Sequence, residues 1–216
     1  MNAPDIVLDA MRRTCLELEV HHPGLRSLMF TAPMGGEGTT TVASLYARVL
    51  AAVSDAKVVL VDANLDAPGV HARFGVGMEP GLRDWDPENP ERGLVAWRDD
   101  PRVSVLPAGR GTATLYSMQA SGRLNRLAAQ LRQGFAYVLW DVPPMNLHPE
   151  ARLLLAHVDG VLAVVESDAT KLEALVEFGG VITRSGAPLL GAIMNRSGRY
   201  SFDSRPPRRR LRLTGS

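Results

Sequence analysis

Cysteine is almost absent. Cys15 is the only one in 216 residues, which excludes an internal disulfide and fits a reducing cytoplasm. Lysine is nearly as scarce, with only Lys57 and Lys171, so arginine carries almost all of the positive charge. No run approaches the ~18–20 consecutive apolar residues of a membrane span. The start, M-N-A-P-D, lacks the basic-then-apolar pattern of a leader. The expected setting is therefore cytoplasmic, with any membrane contact peripheral or made through a partner. His21 and His22 are adjacent, but no second cluster of His, Cys or Glu has suitable spacing, so no metal centre is expected there. Net charge is +1, with 45% hydrophobic and 22% charged residues. That composition is ordinary for one globular domain able to bury a continuous core.

What is present centres on Leu28 to Ala51, L-M-F-T-A-P-M-G-G-E-G-T-T-T-V-A-S-L-Y-A-R-V-L-A. An apolar run enters a glycine-rich turn and an amphipathic run leaves it, which is the strand, loop and helix of a P-loop. Gly35, Gly36 and Gly38 let the backbone turn several N–H groups inward at the positive end of the following helix. The pattern G-x-x-x-x-G-K-[ST] calls for lysine after the last glycine, and this chain has Thr39 there.

Before the loop, the spacing predicts a helix over Ile6–Val20, ended by H-H-P-G. Strands are expected at 27–31, 57–62, 103–106, 135–141, 160–165 and 189–194, and helices at 40–53, 117–133 and 171–184. Near-unbroken apolar strands alternating with helices predict an α/β fold, a doubly wound parallel sheet with helices on both faces. The segment 79–100, with its prolines, Trp85 and Trp97, reads as a long excursion on the ligand side of the sheet. The resulting division is an amino-terminal helix over 1–24, a P-loop NTPase-like domain over 25–196, and a basic tail over 197–216. That tail lacks periodicity and is expected to be disordered.

Three features should converge at the carboxyl edge of such a sheet, where doubly wound folds bind ligands. They are the glycine loop with Thr40 at its magnesium-ligand position, Asp62 closing one apolar strand, and Asp141 closing another. Magnesium sites of nucleotide enzymes combine one or two carboxylates, a hydroxyl and phosphate oxygens. The candidate nucleotide-binding set is Gly35, Gly36, Glu37, Gly38, Thr39, Thr40 and Thr41, and the candidate magnesium ligands are Thr40, Asp62 and Asp141.

The stretch V-L-V-D-A-N-L-D-A-P-G-V-H-A-R-F-G-V, with E-P-G-L-R-D after it, resembles the second signature of bacterial tyrosine kinases that control exopolysaccharide chain length. V-S-V-L-P-A-G, F-A-Y-V-L-W-D-V-P-P-M, V-D-G-V-L-A-V-V-E and L-L-G-A-I-M-N-R resemble further segments of that family, in collinear order from Leu25 to Arg196. The wider class is the MinD/ParA-like P-loop ATPases. The resemblance implies ATP or ADP with Mg2+ as ligands, whose binding is expected to be weak or absent given the departures below, and Asp62 as the second Walker aspartate, a candidate to activate an attacking hydroxyl. It implies Asp141 as the Walker B carboxylate and Asn195 against the adenine base. It also implies docking on the cytoplasmic end of an inner-membrane polysaccharide co-polymerase, and a homo-oligomer.

Departures from the family bear on activity. Thr39 replaces the bridging lysine, Met34 stands where the MinD/ParA-like group often has another lysine, Asn64 replaces an aspartate and Asp66 an arginine. Lys57 begins its strand and so lies about 15 Å from the loop at ~3.3 Å per residue, whereas Lys171 follows a strand on the ligand side. The family's assembly motif E-x-x-R-x-x-R is barely traceable around Arg12 and Arg13, and its tyrosine-rich end is reduced to Tyr200. Tyr46, Tyr116 and Tyr137 fall in predicted elements where burial is expected, leaving Tyr200 as the phosphosite candidate. Phosphoryl transfer depends on positioned charge, so the expectation is a pseudokinase that regulates or scaffolds polysaccharide export. The alternatives are an active autokinase or ATPase in which an arginine, Lys171 or a partner's residue replaces the lysine, or a MinD-like positioning protein. The arginine-rich end is a candidate peripheral membrane contact. Nucleic acid is not an expected partner, because no aromatic platform or basic face accompanies the run.

Overall fold

The computed structural model describes residues 5–167 and 169–196; Tyr200 and the arginine-rich tail lie outside the described residues. Seven strands form one sheet: β1 (Ser27–Thr31), β2 (Val58–Asp62), β3 (Val95–Ala96), β4 (Val103–Leu106), β5 (Tyr137–Asp141), β6 (Gly160–Glu166) and β7 (Leu189–Asn195). Their order is β3-β4-β2-β5-β1-β6-β7. Every pairing is parallel except β3 with β4. The expected doubly wound parallel α/β sheet is therefore present, with one short antiparallel strand added at its edge.

Parity along the strands decides which helix covers which residue, because successive side chains point to opposite faces. Leu28, Phe30, Val58, Leu60 and Leu139 pack under α1 (Asp5–His21), α2 (Thr39–Ser54) and α3 (Val70–Phe74). Met29, Val59, Val61, Val138 and Trp140 pack against α4 (Leu115–Ala120), α5 (Arg123–Gly134), the 3-10 segment Pro149–His157 and α6 (Leu172–Ser185). Both faces are apolar, so the central strands read as continuous hydrophobic runs. The same parity carries Asp62, two residues after Leu60, and Asp141, two after Leu139, to the α2 side.

Two segments depart from expectation. The helix expected over 117–133 is two helices, because Gly122 takes a left-handed φ of 72° and turns the chain between α4 and α5. The excursion over 79–100 begins on the ligand side, where Leu82 and Arg83 donate backbone N–H groups to Pro107 and Ala108. It then returns along the sheet edge as β3, because Val95 and Ala96 pair with Val105 and Ser104. Among the described residues no helix is long and apolar enough to cross a membrane.

Candidate functional site

The loop from Gly35 to Gly38 connects the centre of the sheet to the amino end of α2. Gly38 caps that helix with φ 87°, a conformation that any side chain would strain. Two side chains hold the loop. Glu37 is buried and its Oε1 accepts the Met34 N–H at 2.8 Å. Asn195, at the end of β7, donates Nδ2 to the Glu37 carbonyl at 2.8 Å. A Cβ at position 38 would fall 2.4 Å from that same Nδ2. Asn195 thus lies against the glycine loop, and its amide is engaged in bracing it.

Beneath the start of α2 lie the two aspartates. They are register partners on β2 and β5, and adjacent strands are ~4.8 Å apart. Asp62 accepts the Gly69 and Val70 N–H groups on Oδ2, each at 3.0 Å, which ties α3 to the end of β2. Its Oδ1 is buried without a hydrogen-bond partner, as are both oxygens of Asp141. Burial pushes the Asp62 carboxyl up to about 6, against the pull of those backbone donors. Asp141 goes up to about 8, from burial first and the Asp62 charge second, while the nearby Thr40 hydroxyl opposes the rise.

Unpartnered buried oxygens are costly, and two carboxylates so close repel. Both costs are relieved by a divalent cation. Three orphaned carboxylate oxygens beside a threonine hydroxyl form a hard, all-oxygen donor set suited to Mg2+. The residues present therefore fit that ion, with Thr40, Asp62 and Asp141 as those that would hold it.

A cavity of about 320 Å³ surrounds the loop from Gly36 to Thr41 and is walled also by Asn64, Gly69, Arg73 and Arg196. Lys57 precedes β2 at the opposite end of the sheet. Lys171 lines a separate cavity of about 430 Å³ on the other side of the loop, among Glu37, Glu166, Glu173 and Glu177. Residues 35–41 and the aspartates thus come together as the sequence suggests, whereas the two arginines at the mouth were missed there. Arg73 follows Asp62 by eleven positions, inside a five-residue helix too short to show periodicity.

One expectation is overturned. Tyr116 is 71% exposed, because Leu115 and Met118 occupy the buried face of α4 and turn Tyr116 outward. Tyr46 is buried, as expected, and Tyr137 only half so. Asp66, at the position where an arginine is usual, pairs with His148 at 3.2 Å, and Glu150 lies 3.5 Å from the same ring nitrogen.

The family model for cellulose biosynthesis protein BcsQ matches residues 25–177. The chain belongs to the BcsQ family. This BcsQ-family chain is also 29% identical over 185 residues to tyrosine-protein kinase YwqD of Bacillus subtilis, covering 85% of this chain and 77% of that protein. Its structure is similar to the kinase domain of Escherichia coli tyrosine kinase ETK, with a TM-score of 0.77 and 24% identity over 87% of this chain and 74% of that one. It is likewise similar to the septum site-determining protein MinD of Pyrococcus horikoshii solved with Mg-ADP, with a TM-score of 0.64 and 24% identity over 84% and 74% of the two chains. The fold is that of the MinD-like P-loop proteins.

Proposed function

We propose that this BcsQ-family chain is a cytoplasmic regulatory or scaffold subunit of extracellular polysaccharide synthesis and export, which binds Mg-nucleotide without transferring phosphate efficiently. One observation carries this reading. The buried, unpartnered oxygens of Asp62 and Asp141 support a retained magnesium half of a P-loop site, while the loop itself offers Thr39 in place of a cation. The loop amides and the amino end of α2 favour phosphate in either case. A nucleotide that is bound but rarely cleaved acts as a positional signal, because it fixes the loop, the end of β2 and, through Asp62, α3.

In this reading the chain docks on the cytoplasmic end of an inner-membrane polysaccharide co-polymerase, which supplies the membrane attachment, and self-association into an oligomer accompanies docking. Membership of the family named for cellulose biosynthesis protein BcsQ supports the polysaccharide system, and kinship with YwqD, a tyrosine-protein kinase, supports the nucleotide site. The guanidiniums of Arg73 and Arg196 on the cavity wall favour a second reading, a slow ATPase or autokinase. Tyr116 is then an accessible acceptor among the described residues, alongside the candidate Tyr200.

Calorimetric titration of ATP and ADP, with and without magnesium, tests the assignment beside a Thr39→Lys variant. The wild-type chain should bind at least ~10-fold (about 1.4 kcal/mol) more weakly than Thr39→Lys, with hydrolysis near background. Steady turnover by the wild-type protein that disappears in Asp141→Asn would establish the active reading instead.

A further inference from the structure

A polyphosphate brought to this loop carries several negative charges, and the loop's own residues answer them with backbone dipoles and threonine hydroxyls but no cation. The remaining compensation must come from side chains that reach the same space. Among the described residues lining the cavity around Gly36–Thr41, the only cationic ones are Arg73 and Arg196.

Arg73 sits on α3, one turn after Gly69, whose N–H is held by Asp62. Gly69 also lies against Thr40, with a Cβ there falling 3.1 Å from the Thr40 methyl carbon. The amino end of α3 is therefore fixed beside the loop rather than floating near it. The Arg73 residue is exposed, and its guanidinium enters no hydrogen bond or ion pair within the described residues. Arg196 approaches from the other wall. It directly follows Asn195, takes a φ of 54°, and pairs with Glu166 at 2.9 Å.

Charge around the two candidates distinguishes them from Lys171. Four glutamates share the Lys171 cavity, which disfavours a polyanion. In the loop cavity Glu37 is the sole carboxylate on the wall, and one of its oxygens is turned onto the Met34 N–H. A guanidinium suits the task because its planar fork binds two phosphate oxygens at once and stays charged at any working pH.

We infer that Arg73 takes over the phosphate-binding charge that the loop lost at Thr39, with Arg196 as a secondary contact released from Glu166, so that the site takes nucleoside di- or triphosphates with Mg2+. This rests on the nucleotide reading above and gives it residues. Arg73 is a binding residue here, and no covalent step is assigned to it. Because Asp62 anchors the helix that carries Arg73, the cation and the phosphates would be gripped by two ends of one short element.

The test is calorimetry of the full chain with Mg-ADP and with magnesium tripolyphosphate, in wild type, Arg73→Ala, Arg196→Gln, Thr39→Lys and the double variant Thr39→Lys/Arg73→Ala. Arg73→Ala should weaken both ligands at least tenfold without moving the thermal midpoint, as befits an exposed side chain. Arg196→Gln should cost less. In the Thr39→Lys background the Arg73→Ala loss should shrink to less than threefold, because lysine then occupies the vacated role. Wild-type binding that Arg73→Ala leaves unchanged would overturn this inference while sparing the nucleotide reading. A loss for ADP but not for tripolyphosphate would overturn it too, by placing Arg73 on the nucleoside. Failure of the wild type to bind either ligand at millimolar concentration would overturn both.

Discussion

Asp62 and Asp141 face each other across β2 and β5 with three of their four oxygens unpartnered, an arrangement that costs stability whenever both are ionised. The sign follows from the raised folded values, about 6 and about 8. Unfolded aspartates titrate near ~3.9, so between that pH and the folded value the native chain holds more protons than the unfolded one. Stability should therefore fall as pH rises, from about 4 to 6 through Asp62 and on to about 8 through Asp141. Asp141→Asn removes the larger part. Its thermal midpoint should exceed that of the wild type at pH 8 in chelator, at roughly 2–4 °C per kcal/mol for a chain of this size, and the two should converge near pH 4. Magnesium should raise the wild-type midpoint at pH 8 and leave the variant almost unmoved. A wild-type midpoint that is flat from pH 5 to 8 would mean that the pair is neither buried nor coupled as described.

At the scale of elements, the glycine loop is held by the edge strand β7, two places from β1 in the sheet. Asn195 at the end of β7 donates to the Glu37 carbonyl and accepts the Arg196 N–H at 2.9 Å. Asn195→Ala should cost about 0.5–1.5 kcal/mol, the usual net value of a lost hydrogen bond, and should speed amide exchange at Gly36 to Thr39 selectively. Unchanged exchange there would mean that Glu37, through Met34, fixes the loop alone. The same variant separates bracing from base reading, since a bracing residue affects ADP and tripolyphosphate alike and a base reader affects ADP only. The sequence made the strand, loop, helix and both aspartates legible because each has a local signature: an apolar run, a glycine cluster, a carboxylate closing a strand. It concealed what depends on packing. Ser121-Gly122 is a turn-forming pair, but the helical spacing of Leu124, Leu127 and Leu131 runs on past it and hides the break, and β3 exists only because β4 offers an unpaired edge. Arg73 and Arg196 become neighbours of the loop only when α3 and β7 are placed around it. The exposure of Tyr116 was readable, since Leu115 and Met118 three positions apart already mark the buried face of α4.

For the molecule as a whole, charge is unevenly shared. Residues 197–216 hold six arginines against Asp203, a net +5, so the preceding 196 residues carry −4 of the overall +1. The tail lies outside the described residues, and its composition alone supports a prediction about membranes. Arg205, Arg208, Arg209, Arg210 and Arg212 fall within eight positions, dense enough to be attracted to an anionic bilayer at roughly 1 kcal/mol per basic residue near the surface. A basic run without an acyl chain or amphipathic helix gives reversible binding at most, and the acidic remainder of the chain competes for the same arginines. Full-length protein should therefore co-sediment with vesicles containing phosphatidylserine at low salt and less so as salt rises, since the Debye length contracts from ~30 Å at 0.01 M to ~8 Å at 0.15 M. A chain ending at Phe202 should keep the same thermal midpoint and lose most of that binding, because Arg199 is then the only tail arginine left. Equal sedimentation of the two proteins at low salt would show that the run does no more than solubilise the end. Sedimentation of the longer chain that ignored salt would point instead to Leu211 and Leu213, an apolar rather than an electrostatic attachment. The electrostatic outcome is the one that suits the proposed subunit, since a weak, screenable contact can orient the chain at the bilayer without competing with the proposed docking on a membrane-embedded partner.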